Sequence, residues 1–71
     1  MDTTQLSDTI RNRRKILGLR QEDLAEMAEI HVLTLKNIEN GKGNPSFQTL
    51  AKITEILGLE IQITIKNEPT S

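Results

Sequence analysis

Seventy-one residues with a formal net charge of −1, no cysteine and one histidine make a single small domain, with no disulfide and no thiolate metal site. A chain this short buries only roughly 60% of the surface it exposes when unfolded, so a partner subunit is the expected source of extra stability. No apolar run approaches the ~18 residues of a bilayer span, and Met1 to Gln5 lack the charged and apolar regions of a secretion signal, so a cytoplasmic protein without a membrane partner is expected.

The first element is predicted from Thr4 to Leu17, where Leu6, Ile10 and Leu17 recur at helical spacing with Ile16 beside the last. Thr4 is its expected N-cap, and Gly18 its left-handed end. A short second helix follows over Gln21 to Ala28, with Leu24, Ala25 and Ala28 inside and Glu22, Asp23 and Glu26 early, where the helix dipole favours acids. Ile30 sits in a tight connection. Val32 to Glu39 gives a third helix, with Leu35 and Ile38 on one side and Lys36 and Asn37 on another. The turn formers from Asn40 to Pro45 break it.

Ser46 caps a predicted fourth helix, in which Phe47, Leu50, Ile53 and Leu57 keep the helical period and Gly58 closes the run. The period then changes to two. Leu59, Ile61, Ile63 and Ile65 alternate with Glu60, Gln62, Thr64 and Lys66, the pattern of a strand with one buried face. Residues 67–71 read as a polar tail. A single domain over 1–71 is thus expected, with a helical core at about 4–58 and a strand at about 59–66.

A lone strand has no partner inside the chain, and an open strand edge invites pairing. Closure by the same strand of a second subunit, antiparallel across a two-fold axis, makes Leu59, Ile61, Ile63 and Ile65 the expected dimerisation residues. Covering them contributes on the order of 6–10 kcal/mol per subunit before entropy. The other reading is a tail that packs on its own helices.

Charge is unevenly placed. Residues 1–20 hold Arg11, Arg13, Arg14, Lys15 and Arg20 against Asp2 and Asp8, while Glu22, Asp23, Glu26 and Glu29 follow without a base. Either one cationic and one anionic face results, or a mixed solvated surface. With no tyrosine, no cysteine, no glycine-rich phosphate cradle and an isolated histidine, neither an enzyme nor a cofactor is expected.

Two segments carry a family likeness. Leu17-Gly18-Leu19-Arg20-Gln21-Glu22-Asp23-Leu24-Ala25-Glu26-Met27-Ala28, and Thr34-Leu35-Lys36-Asn37-Ile38-Glu39-Asn40-Gly41-Lys42 followed by Asn44-Pro45-Ser46, together resemble the Xre/Cro helix-turn-helix regulators, which include the lambdoid phage repressors. The likeness runs from about Ile10 to Leu59. It implies an all-α, lambda-repressor-like domain of four to five short helices, to which the strand reading above adds a terminal strand paired across a homodimer.

In a helix-turn-helix the second helix lies in the major groove and presents its N-terminal residues to base edges. Here that helix offers Val32, Leu33, Lys36 and Asn37, with Thr34 near the backbone. Asn37 suits adenine and Lys36 suits guanine, while Val32 and Leu33 either meet a thymine methyl or pack in the core. The resemblance places Gln21 against a phosphate or the base edge beneath it, beside the N–H groups that open its helix. It also places Asn40 and Lys42 on the sugar-phosphate backbone. Their plain alternatives are a helix cap and a solvated lysine.

Arg14 and Glu39 fall where the family carries a partly buried ion pair. His31 stands where the family prefers a serine or threonine cap, Arg20 where it prefers a threonine-type cap, and Glu29 at a turn position that favours glycine. The ending Leu57-Gly58-Leu59-Glu60-Ile61-Gln62-Ile63-Thr64-Ile65 and the start Thr4-Gln5-Leu6 resemble the HipB-type antitoxins, which implies a palindromic operator and a kinase-like toxin as partners. A stand-alone repressor and a restriction–modification controller remain alternatives. So does a protein-interaction module that binds no DNA.

Overall fold

The computed structural model describes residues 3–63 and Ile65, and in them four helices: α1 (Thr3–Ile16), α2 (Gln21–Met27), α3 (Val32–Glu39) and α4 (Phe47–Leu57). Their apolar stripes converge on Ile10, Leu24, Ala25, Ala28, Leu35, Ile38, Ile53 and Leu57, with Leu6, Leu19, Ile30, Val32, Leu50, Ile56 and Leu59 packed around them. No described helix is long and apolar enough to cross a membrane.

The helix ends share one device. After α1, α2, α3 and α4 a residue takes positive φ, at Gly18 (71°), Glu29 (58°), Gly41 (73°) and Gly58 (71°). The next residue's N–H returns to a carbonyl five back: Leu19 to Arg14 (3.1 Å), Ile30 to Ala25 (3.0 Å), Lys42 to Asn37 (2.8 Å) and Leu59 to Thr54 (2.8 Å). These bonds satisfy carbonyls that each helix would otherwise leave bare. Glu29 is the one side chain forced into the left-handed region that the other three ends give to glycine. That conformation costs a non-glycine residue about 1–2 kcal/mol, partly offset by the stiffer unfolded chain. Glu29→Gly is therefore expected to stabilise the fold by about 0.5–1 kcal/mol in urea titration. A variant no more stable than the parent would contradict the strain.

Helix starts are less uniform. α1 already includes Thr3 and Thr4, so Thr4 lies in the first turn and is not the cap expected of it. Arg20 precedes α2 and has no acceptor to offer, but the Asp23 carboxylate accepts from the Arg20 backbone N–H (2.9 Å) and from its guanidinium (3.0 and 3.1 Å). This is half of a capping box. The guanidinium bond holds the Asp23 carboxyl below its usual range. Its share of the cap is thus present at neutral pH and is lost as pH falls through that lowered value. His31 precedes α3 and makes no side-chain cap bond, whereas the Ser46 hydroxyl accepts from the Thr49 N–H at 3.1 Å.

Two expectations about the apolar stripes need correction. Leu17 lies past the end of α1 and is exposed, since the chain leaves the helix before reaching it. Phe47 opens α4 but is 66% exposed. It stands at the rim of a groove of about 180 Å³ that Leu6, Ile10, Leu50, Leu59 and Ile61 also line.

Beyond Gly58, Leu59 is half-buried, Ile61 and Ile65 are exposed, and Ile63 is 94% exposed. Residues 59–63 and Ile65 carry no strand assignment within this one chain. A ladder needs a second strand, and none exists among the described residues. Thr64, Lys66 and the tail expected at 67–71 lie outside the described residues.

Candidate nucleic-acid interface

The turn after α2 is tight because Ala28 and Ile30 both face the core while Glu29 reverses the backbone. It delivers α3 with Leu35, Ile38 and Glu39 buried. The opposite side of α3 and its C-cap carries Leu33, Lys36, Asn37 and Asn40, spaced i, i+3, i+4 and i+7 along one stripe. Leu33 is 64% exposed, Lys36 and Asn40 are exposed, and Asn37 is half-buried. Thr34 is exposed at one margin of the stripe. Val32, at the other margin, is half-buried and packs against the core, so core packing is the reading its surroundings support.

The inner side of α3 is fixed by a charged assembly. Arg14 of α1 grips Glu39 through two bonds, Nε to Oε2 at 2.7 Å and Nη2 to Oε1 at 2.8 Å. Both side chains are nearly sealed from solvent. Such two-pronged guanidinium–carboxylate pairs are the strong ones. The hydrogen bond to Glu39 holds the Arg14 guanidinium above its ordinary value, so the charge is permanent. Arg14 also donates to the Leu19 carbonyl at 2.9 Å, tying in the connection to α2.

Gln21, the first residue of α2, joins this assembly: its Nε2 donates to Glu39 Oε1 at 3.2 Å. Sequence reasoning placed Gln21 against DNA and missed that bond. It also missed Ser7, whose hydroxyl donates to the Ile38 carbonyl at 2.7 Å, and Arg11, which donates to the Glu39 carbonyl at 3.1 Å. The available signal was spacing, because Ser7, Ile10, Arg11 and Arg14 occupy one face of α1 at i, i+3, i+4 and i+7. The seven-residue α2 opens with Glu22 and Asp23 in its first turn, which disfavour an anion there. The Arg20 side chain, a further cation nearby, is engaged by Asp23.

The loop after α3 completes the surface. Asn40 caps the helix with its backbone, and its side chain, like that of Lys42, is exposed. Thr34, Asn37, Lys42 and Pro45 border a shallow hollow of about 150 Å³ beside the stripe. From Ile30 to Thr54 the one carboxylate is Glu39, buried and paired, against Lys36, Lys42 and Lys52. The net charge of −1 therefore comes from elsewhere, chiefly the acids from Glu22 to Glu29. The α3 stripe and its loop can present donors, acceptors and an apolar tip to a polyanion without an exposed carboxylate among them, whereas the exposed Glu22 lies beside Gln21. Among the described residues no group of three or more acidic, histidine or cysteine side chains is placed to hold a metal ion.

Residues 10–63 match the helix-turn-helix family. The chain is 35% identical over 57 residues to the HTH-type transcriptional regulator DdrOP3 of Deinococcus deserti, an alignment that spans 80% of this chain but only 44% of that protein. Among solved structures it is similar to a chain of the HipA–HipB–O2–O3 complex, with TM-score 0.80, 28% identity and 94% of each chain covered. It is similar too to the restriction-modification controller protein C.AhdI from Aeromonas hydrophila, with TM-score 0.77, 26% identity and 82% and 88% of the two chains covered.

Proposed function

The chain belongs to the helix-turn-helix family, and on that premise we propose that it is a sequence-specific double-stranded DNA-binding transcriptional regulator, acting in the cytoplasm as a homodimer. The observation that carries this reading is the exposed stripe of α3, formed by Leu33, Lys36, Asn37 and Asn40, with Glu39 turned inward and neutralised. Inserted in the major groove, the stripe sets Asn37 to meet adenine, Lys36 to meet guanine and Leu33 to meet a thymine methyl. Gln21, Thr34, Asn40 and Lys42 hold the sugar-phosphate backbone and fix register, and Val32 supports the helix from its inner margin. Two such helices related by a two-fold axis call for a palindromic operator with half-sites ~34 Å apart. This is a binding protein and not an enzyme.

Alanine substitutions test the assignment. Lys36→Ala and Asn37→Ala should each relax preference at one or two base pairs, by roughly 1–3 kcal/mol, in a comparison of single-base operator variants. Lys42→Ala should weaken all sequences alike and lower the salt slope by about 1. An unchanged sequence preference in both of the first two variants would remove α3 as the reading element.

The dimer is supported by the exposed Ile63 and Ile65 and by the apolar groove that Phe47 borders. Likeness over nearly the whole chain to one in the HipA–HipB–O2–O3 complex favours an antitoxin role, in which the same dimer also holds a kinase-like toxin. Likeness to C.AhdI supports a restriction–modification controller instead. The neighbouring gene separates them, because a kinase-like toxin and a methyltransferase are different products.

A further inference from the structure

We infer that Glu39 is a positioning residue for DNA binding, acting through Gln21. The inference rests on the proposed contact between Gln21 and DNA. Glu39 is 2% exposed and cannot itself reach a nucleic acid. Its two carboxylate oxygens are used unequally. Oε2 accepts from Arg14 Nε, whereas Oε1 accepts from both Arg14 Nη2 (2.8 Å) and Gln21 Nε2 (3.2 Å).

A carboxylate in this pair can only accept, so it fixes which end of the Gln21 amide turns inward. Nε2 must face Glu39. One N–H is committed, and the second N–H and the carbonyl oxygen are left in a defined orientation. A free glutamine samples many rotamers and both amide flips, and it must give them up on binding. Here the fold has already removed that freedom. The carboxylate that does this sits on the buried face of α3, so the reading helix and the first residue of α2 are locked in one register. Sequence alone assigned the Arg14–Glu39 pair to architecture and Gln21 to DNA, with nothing joining them.

The test is a four-protein cycle: the parent chain, Gln21→Ala, Arg14→Met with Glu39→Met, and all three changes together. Each is titrated against a duplex that the parent selects from a random-sequence pool, well below every thermal midpoint. Gln21→Ala should weaken binding by roughly three- to tenfold, the worth of one hydrogen bond. Replacing the Arg14–Glu39 pair, which removes both acceptor oxygens from Gln21, should cost a similar factor in the parent and nothing further once Gln21 is alanine. The same loss from replacing the pair in both backgrounds would mean that Glu39 acts through the fold, which overturns the inference. No loss from Gln21→Ala would also overturn it, while leaving DNA binding to stand on Lys36 and Asn37.

Arg14→Met with Glu39→Met replaces the pair by apolar groups of similar size, a change proteins often tolerate. That chain serves in a second measurement that needs no DNA, the exchange of the Gln21 side-chain amide protons by NMR. One of the two protons should be slowed in the parent and freed in the double methionine variant, with the backbone amides that open α3, away from residue 39, little shifted. Equal, fast exchange of both protons in the parent would remove the positioning bond, whatever the chain binds.

Discussion

Glu39→Ala is expected to lower the stability of the folded chain by roughly 3–5 kcal/mol, a large part of what a domain this small possesses. The size follows from what remains behind. Arg14 would keep its charge, which the Glu39 hydrogen bond now secures, in a site that water barely reaches. Its Nε and Nη2 would each lose an acceptor, and only the bond to the Leu19 carbonyl would persist. The pair also spans the fold, joining α1 to the last residue of α3. Urea unfolding gives the number directly. The Arg14→Met, Glu39→Met chain should recover most of the loss, since removing both charges removes the desolvation cost as well. A loss under about 1 kcal/mol for Glu39→Ala would show the pair behaving like an exposed one.

Ile63→Lys with Ile65→Lys is expected to shift the monomer–dimer equilibrium on the order of a hundredfold or more toward monomer. Each isoleucine covered on association contributes roughly 1.5–3 kcal/mol, and a two-fold interface counts every residue twice. Ile63 has almost none of its surface covered by its own chain, so replacing it disturbs no intramolecular packing. Sedimentation equilibrium would show the change, and the melting of an isolated subunit should move little beyond what lost association explains. A variant that remains as dimeric as the parent would place the interface elsewhere, with the groove beside Phe47 as the next surface to alter.

Much of this architecture was legible because its signals are local. Val32–Glu39 and Phe47–Leu57 are bounded by a turn cluster, a serine cap and a glycine end, and the structure places both helices where those signals put them. Glu29 was readable as a strained turn residue only through resemblance, since nothing in its neighbours demands a positive φ. Thr4 misled because a good capping residue also tolerates the first turn of a helix. Phe47 misled because helical period reports a face but not whether the fold covers it.

The contacts least visible in the sequence are those across it. Gln21 and Glu39 lie 18 positions apart and Ser7 and Ile38 lie 31 apart, and no periodicity links such pairs. Val32 shows the same limit on the proposed reading surface, because one turn of helix decides between groove and core. The alternation after Gly58 is legible as a strand pattern, but pairing is a property of two chains.

Whether the chain is a dimeric DNA-binding regulator is read out by fluorescence anisotropy of a labelled duplex from upstream of the protein's own gene, titrated across a salt series. A dimeric regulator should bind saturably at two subunits per site, more tightly than to a scrambled duplex, with affinity falling steeply as salt rises. Binding no better than to the scrambled duplex at every salt concentration would contradict an autoregulatory operator. Absence of any salt-dependent binding would contradict the DNA-binding reading and favour a protein partner.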